Sequence, residues 1–248
     1  MKIYLAGTSP PFLETLSRKT NILESFAYMN RHRKEVDLLL KNNFMLDSGA
    51  FTFMGNKKLK IDWDKYTNDY CDFINEYKIE LFFELDIYSV IGTKATERLT
   101  KLIEKKTNKQ SIPVWHISLG IDYYKRMVEE YDYIAIGASG RNDSKWTRTN
   151  PEKLKALVLY AKGRGTKVHG LGYTVIKQLK KIPFFSVDST TWLNAGKYGE
   201  YQHYSNGTIK KLQGCAIGKK SKREESIKMT HHNFEQWIKF QDYAEKKL

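Results

Sequence analysis

The sequence predicts an α/β protein of the TIM-like (β/α)8 barrel class, folded as one compact domain. Three observations point there. Short apolar runs alternate with segments of helical period along most of the chain, the rhythm of a parallel sheet joined by helices. The length, 248 residues, suits one barrel and requires no second domain. The first run is followed by "AGTSPP", which lacks the G-x-G-x-x-G turn of an open dinucleotide-binding sheet.

Seven runs read as strands: Ile3–Ala6, Phe44–Leu46, Leu81–Leu85, Ile112–Ile117, Tyr133–Ile136, Lys167–His169 and Phe184–Val187. An eighth is expected around Leu212–Ile217. Between them, "IDWDKYTNDYCDFINEYK" sets Ile61, Tyr66, Tyr70, Phe73, Ile74 and Tyr77 along one helical face, with Cys71 in the same apolar stripe. "NPEKLKALVLYAKGRG" carries helix punctuation: Asn150 as cap, Pro151 at the first helical position, Gly163 at the end. Residues 1–248 are thus expected to form a single unit, with 200–248 supplying a basic C-terminal segment and a closing helix.

Composition narrows the function classes. Hydrophobic residues make up 41% and aromatics 13%, as in a globular protein, and no apolar run reaches membrane-spanning length. The N-terminal "MKIYLAGTSPPF" reads as a first strand in preference to a leader, so a cytoplasmic location is expected. Two cysteines, Cys71 and Cys215, lie far apart, which excludes a cysteine-rich zinc module and fits a reducing compartment. A net charge of +14, with tyrosines and tryptophans among the lysines, favours a nucleic-acid partner over a merely solvated basic surface.

Barrel enzymes collect their chemistry at the C-terminal ends of the strands. Those ends here carry Asp47, Asp86, His116 with Ser118, Gly137, His169-Gly170 and Asp188. A carboxylate directly after an apolar run is costly to bury without a partner or a function, and three on one mouth make a candidate active site. No H-x-H or H-E-x-x-H pattern accompanies them, so no metal is expected. No lysine ends a strand, which counts against Schiff-base chemistry. Carboxylates without a metal suit substitution at a sugar carbon, one attacking the anomeric centre while another moves protons.

Five motifs then resemble, in order, those of the tRNA-guanine transglycosylases, barrels that exchange a guanine in a polynucleotide for a 7-deazaguanine. They are "LDSGAF", "FELDIYS", "YIAIGAS", "VHGLGY" and "FFSVDSTTW", spanning roughly residues 44–192. The resemblance implies Asp188 as nucleophile, Asp47 as general acid/base and Asp86 as reader of the purine edge. It also implies base or substrate contacts from Ser48, Phe51, Ser118, Gly137, Ala138, His116, His169 and Gly170, and no cofactor. The chain departs from the family where Ile117-Ser118-Leu119-Gly120 stands in place of V-Q-G-G, and where Ala138 replaces a glycine. The family's zinc element of three cysteines and a histidine is missing. These departures and the short chain are closest to phage-type (DpdA-type) relatives that insert 7-deazaguanines such as 7-cyano-7-deazaguanine into DNA, so DNA is expected over tRNA. Lys210, Lys211, Lys219, Lys220, Lys222 and Arg223 form a basic cluster suited to phosphates. A tRNA enzyme, a hydrolytic N-glycosidase and a non-catalytic nucleic-acid-binding barrel remain as alternatives.

Overall fold

The computed structural model describes residues 1–7, 10–14, 19–54, 60–138, 141–173, 175–194, 198–212 and 223–248. Seven parallel strands run in the order β3-β2-β1-β7-β6-β5-β4. They are β1 (Lys2–Ala6), β2 (Asn21–Ser25), β3 (Asn43–Asp47), β4 (Val114–Trp115), β5 (Tyr133–Gly137), β6 (Lys167–Leu171) and β7 (Ser186–Ser189). The two edges do not stay open. Phe82 bridges Leu46 beside β3, and Phe83 bridges Ile112 beside β4, both in parallel. Backbone bonds from Phe83 N to Leu46 O (3.0 Å) and from Glu84 N to Ile112 O (3.1 Å) seal the seam. The 81–86 segment therefore acts as the remaining stave of an eight-stave barrel, and the fold is the TIM-like α/β class that the sequence predicts.

One expected strand is displaced. The stave missing from the sequence reading is β2, whose residues Ile22 and Leu23 pair with β1 and β3. Leu212 instead follows β9 (Thr208–Lys211), which forms a separate antiparallel hairpin with β8 (Gln202–Ser205). Residues 213–217 lie outside the described residues.

Side chains alternate across each stave with the period of two that strands impose. Tyr4, Leu23, Met45, Phe83, Ile112, Val114, Tyr133 and Ala135 form one cluster, the barrel interior. Their neighbours Ile3, Leu5, Ile22, Leu46, Phe82, Trp115, Ile134 and Ile136 belong to the larger cluster between barrel and helices. Continuing the interior parity from Met45 gives Asp47, from Val114 gives His116, and from Ala135 gives Gly137. The same alternation that fills the core thus delivers polar residues to its rim.

Helices confirm the punctuation, with one difference. The helix Trp63–Glu76 starts where the Asp62 side chain accepts from Lys65 N (2.9 Å), and it buries Tyr70, Cys71, Phe73 and Ile74. The helix Pro151–Lys162 has Pro151 in its first turn, but Asn150 caps it by position only. Its side-chain amide donates to Trp146 O instead (3.1 Å). The C-terminal helix Arg223–Lys247 runs antiparallel to the staves. Asn233 donates to Trp192 O just beyond β7 (3.3 Å), whereas Gln241 donates to Ile3 O (2.8 Å) and Asn21 O (2.9 Å) at the opposite end. Its Arg223 end is thereby on the side of the strand C-termini. Among the described residues, no helix is long and apolar enough to cross a membrane.

Candidate active site at the barrel mouth

Asp47 ends β3 and turns at once into Ser48-Gly49. Its Oδ2 accepts from Gly49 N at 3.1 Å, the local bond that Asp favours in turns. Gly49 is obligatory there: φ is +70°, and a Cβ would lie 2.6 Å from that of Ala27. Burial, above all, pushes the Asp47 carboxyl up to about 7; the charges of Asp188, Asp86 and Glu24 add to this, while the Gly49 bond works against it. The turn residue and the candidate carboxylate are therefore one and the same.

Asp188 lies within β7, buried, and caps no helix; the short helix that follows, Thr191–Leu193, begins after Thr190. Its Oδ1 accepts from Gly172 N (2.5 Å) and from His169 Nε2 (3.1 Å). His169 is fully buried, and its Nδ1 meets Ser186 Oγ at 2.5 Å. Ser186 Oγ in turn meets Tyr133 OH at 2.5 Å. With a neutral imidazole the chain has one consistent direction: Tyr133 donates to Ser186, Ser186 to His169 Nδ1, and His169 Nε2–H to Asp188.

Asp86 sits at φ +49°, a left-handed backbone that few non-glycine residues adopt and that Asp tolerates better than most. Its Oδ1 accepts from His116 Nε2 at 2.8 Å. His116 Nδ1 faces Asp143 Oδ2 at 3.0 Å, and Asp143 Oδ1 accepts from Ile117 N at 3.2 Å. Both ring nitrogens face carboxylates, an arrangement that favours the imidazolium, with both nitrogens as donors. Burial opposes that charge, but the bonds to Asp143 and Asp86 prevail and carry His116 up to about 10.

The three predicted carboxylates share one feature. Each has one oxygen held: Asp47 Oδ2, Asp86 Oδ1, Asp188 Oδ1. Among the described residues the other oxygen of each has no hydrogen-bond partner. They also feel one another, since Asp86 and Asp188 both raise Asp47. This is a set of pre-aimed acceptors with a carboxyl poised near neutrality, the arrangement that proton transfer at neutral pH requires.

The remaining sequence candidates divide. Phe51, four residues after Asp47 in the chain, is 66% exposed. Ser118 is exposed and pairs with Tyr88 OH at 2.7 Å. Ser48, in contrast, is buried and donates to Leu85 O (3.2 Å), so its hydroxyl serves the turn. Ala138 N donates to Leu171 O (2.9 Å) and is committed to the barrel. Gly137 makes room for a neighbour: a Cβ there would lie 2.5 Å from His116 Cε1. Gly170 packs against Tyr173 and Val187, both 3.0 Å from a would-be Cβ. His116 and His169 reach the site through Asp86 and Asp188, their ring nitrogens being occupied. Lys210 and Lys211 are exposed on β9, and Lys211 pairs with Glu200 at 2.7 Å. Lys219, Lys220 and Lys222 lie outside the described residues, and so does the side chain of Arg223.

Four participants were not singled out by the sequence. Glu24 came with the unrecognised β2, although a carboxylate after Ile22-Leu23 is the same signal that marked Asp47. Asp143, Ser186 and Tyr133 carried no usable signal, because an acidic first helical turn and strand hydroxyls or phenols are commonplace. A cavity of about 490 Å³ opens elsewhere, lined by Lys2, Lys167, Phe184 and Phe185 at the strands' N-terminal ends. It holds none of the clustered carboxylates.

No family model and no curated protein matches the chain. A solved structure does: the crystal structure of a protein assigned as a fructose-1,6-biphosphate aldolase from Coccidioides immitis, with a TM-score of 0.58 and 10% identity over 99% of this chain and 91% of that one. At that identity the likeness establishes the TIM-like barrel and nothing about chemistry.

Proposed function

We propose that the chain is a glycosyltransferase of the base-exchange type, a guanine transglycosylase that replaces guanine in DNA by a 7-deazaguanine. The observation that carries this reading is the trio Asp47, Asp86 and Asp188 at the same mouth, each with one oxygen anchored and the other without a partner among the described residues. In the proposed reaction the free oxygen of Asp188 attacks C1′ of deoxyguanosine. The C1′–N9 bond breaks, and the leaving guanine takes a proton from the Asp47 carboxyl. A 7-deazaguanine then attacks C1′, giving its N9 proton to Asp47 and releasing Asp188. The strand is never cut, and atoms balance without a redox or metal partner.

Several features support these roles. The hold on Asp188 from Gly172 N and His169 fixes one oxygen and aims the other. A carboxyl near 7 in Asp47 serves as acid in one half-reaction and base in the next. Asp86 is acceptor-only while ionised, and so matches the paired N1–H and 2-amino donors of guanine. The basic excess suits a phosphate backbone, and a duplex target must first be flipped out, at a cost of about a few kcal/mol.

The test is to incubate the protein with DNA or tRNA and labelled guanine, then measure nucleosides by mass spectrometry. Label entering DNA in place of guanine is the expected result. Label entering tRNA alone would reassign the acceptor. Abasic sites with no label incorporated would make the protein a hydrolytic glycosidase, and no change in either polymer would leave a binding barrel.

A further inference from the structure

We propose that Asp143 and His116 are a positioning pair for Asp86: Asp143 holds the His116 ring, and the ring holds one oxygen of Asp86 so that the second is turned to the mouth. The inference deepens the transglycosylase reading, on which the identity of the ligand edge rests. Its geometric basis is independent of that reading.

His116 has no freedom left. Its two nitrogens are bonded at 2.8 Å and 3.0 Å, to Asp86 and to Asp143. Asp143 is itself fixed from behind by Ile117 N at 3.2 Å. On one side the ring fills space that only a glycine at position 137 allows. On another, the Tyr88 ring lies against it with centroids 5.0 Å apart, and Tyr88 OH is tied to Ser118. Such a ring cannot serve as a free acid or base for a ligand without breaking two charge-assisted bonds, which are the strong kind. What it can do is orient Asp86, which sits on a left-handed backbone between the buried Leu85 and Ile87.

Charge explains why a histidine stands here. Asp86 faces a mouth that also contains Asp47 and Asp188, and Glu84 is buried on the same segment. Like charges in one site push protons onto each other. The imidazolium offsets this crowding, and Asp143 keeps the imidazolium charged. Among the described residues, the titratable groups that face His116 are Asp86, Asp143 and Tyr88, with Glu84 sensing its charge.

The experiment has two arms. First, ring nitrogen and proton shifts from NMR of the 15N-histidine-labelled protein report the state of His116. The wild type should show an imidazolium at pH 8.5, and Asp143→Asn should convert it to the neutral Nε2–H form. The asparagine can still accept from Ile117 N, but it turns an N–H toward Nδ1. A neutral His116 in the wild type at pH 8.5 would overturn the proposal without reference to any substrate. Second, guanine competition in the exchange assay is measured for wild type and Asp143→Asn from pH 6 to 8.5. Weakening of about tenfold at pH 8.5, shrinking toward pH 6 as His116 regains its proton, is expected. Asp47 titrates in both proteins, so the ratio isolates the pair. A constant ratio across the range would reduce Asp143 to a merely structural residue and overturn the proposal. Should the wild type exchange no base at all, the transglycosylase reading falls, and the NMR arm alone decides the positioning pair.

Discussion

The mouth holds two histidines on alternate staves, His116 after β4 and His169 in β6, and the fold uses them in opposite ways. Each donates Nε2–H to a mouth carboxylate, Asp86 at 2.8 Å and Asp188 at 3.1 Å. The difference is on the far side of the ring. His116 meets a second carboxylate, and against the effect of burial the two carboxylates push its pKa up to about 10. His169 meets a hydroxyl that continues to Tyr133 inside the barrel, among the rings of Tyr4 and Phe83. One pair is an electrostatic clamp near the surface and the other a directional relay in the core. The residue at a strand end names the chemistry available, and its second neighbour decides which form is used.

Breaking the relay at its working end should have the largest effect. Asp188→Asn keeps the size and the Oδ1 acceptor but removes the nucleophilic charge, so exchange should fall by about four orders of magnitude. A denaturation-resistant protein–DNA adduct should form with wild type and not with the variant. Full activity in Asp188→Asn would remove this residue from the mechanism and leave the two histidines functionally alike.

The clamp predicts a dependence of stability on pH. A histidine raised in the folded state contributes stability that is complete below about pH 6.5 and lost as pH rises through about 10. The full span is on the order of 5 kcal/mol. Asp47 and Glu84, both pushed up to about 7 by burial, bind protons more tightly folded than unfolded, so they too lower stability as pH climbs from about 4 to 7. Urea unfolding from pH 4 to 10 should therefore show a continuous decline, and His116→Gln should flatten its alkaline limb. A limb equally steep in the variant would place the charge elsewhere.

Replacing His169 tests whether the relay is as costly to cut. His169→Phe fits an aromatic environment but strands the buried polar atoms of Ser186 and Asp188, at a cost of about 2–3 kcal/mol by denaturant titration. Because the relay carries no second carboxylate, the loss should change little between pH 8 and 10, unlike that of His116→Gln. A strong alkaline dependence would erase the distinction between the pairs.

The smallest effect belongs to ligand discrimination at Asp86. Hypoxanthine keeps N1–H but lacks the 2-amino group, so it should compete more weakly than guanine by about 1.5–3 kcal/mol. Asp86→Asn, which tolerates the left-handed backbone, should weaken guanine and narrow that margin. Equal competition by hypoxanthine and guanine against the wild type would refute the assigned role of Asp86.

The sequence by itself determined the alternation of staves and helices, and with it the barrel class. It also determined that Asp47, Asp86 and Asp188 follow apolar runs and so arrive together at one end, and that Pro151 begins a helix. These are local facts, written in periods of 2 and 3.6 and in residues whose preferences act over a few positions. Only the tertiary structure decided that "NILES" is a stave and Leu212 is not, since two central apolar residues become a strand only when β1 and β3 offer their edges. Only it decided that Asp143, from the helix after β5, would clamp His116, and that Ser186 and Tyr133 would stand behind His169. Those choices are made by closure of the ring, which brings together groups 27 residues apart for Asp143 and His116 and 53 apart for Tyr133 and Ser186. Hydrogen-bond partners at that separation leave no periodic trace in the chain, because nothing but the closed barrel brings them into reach.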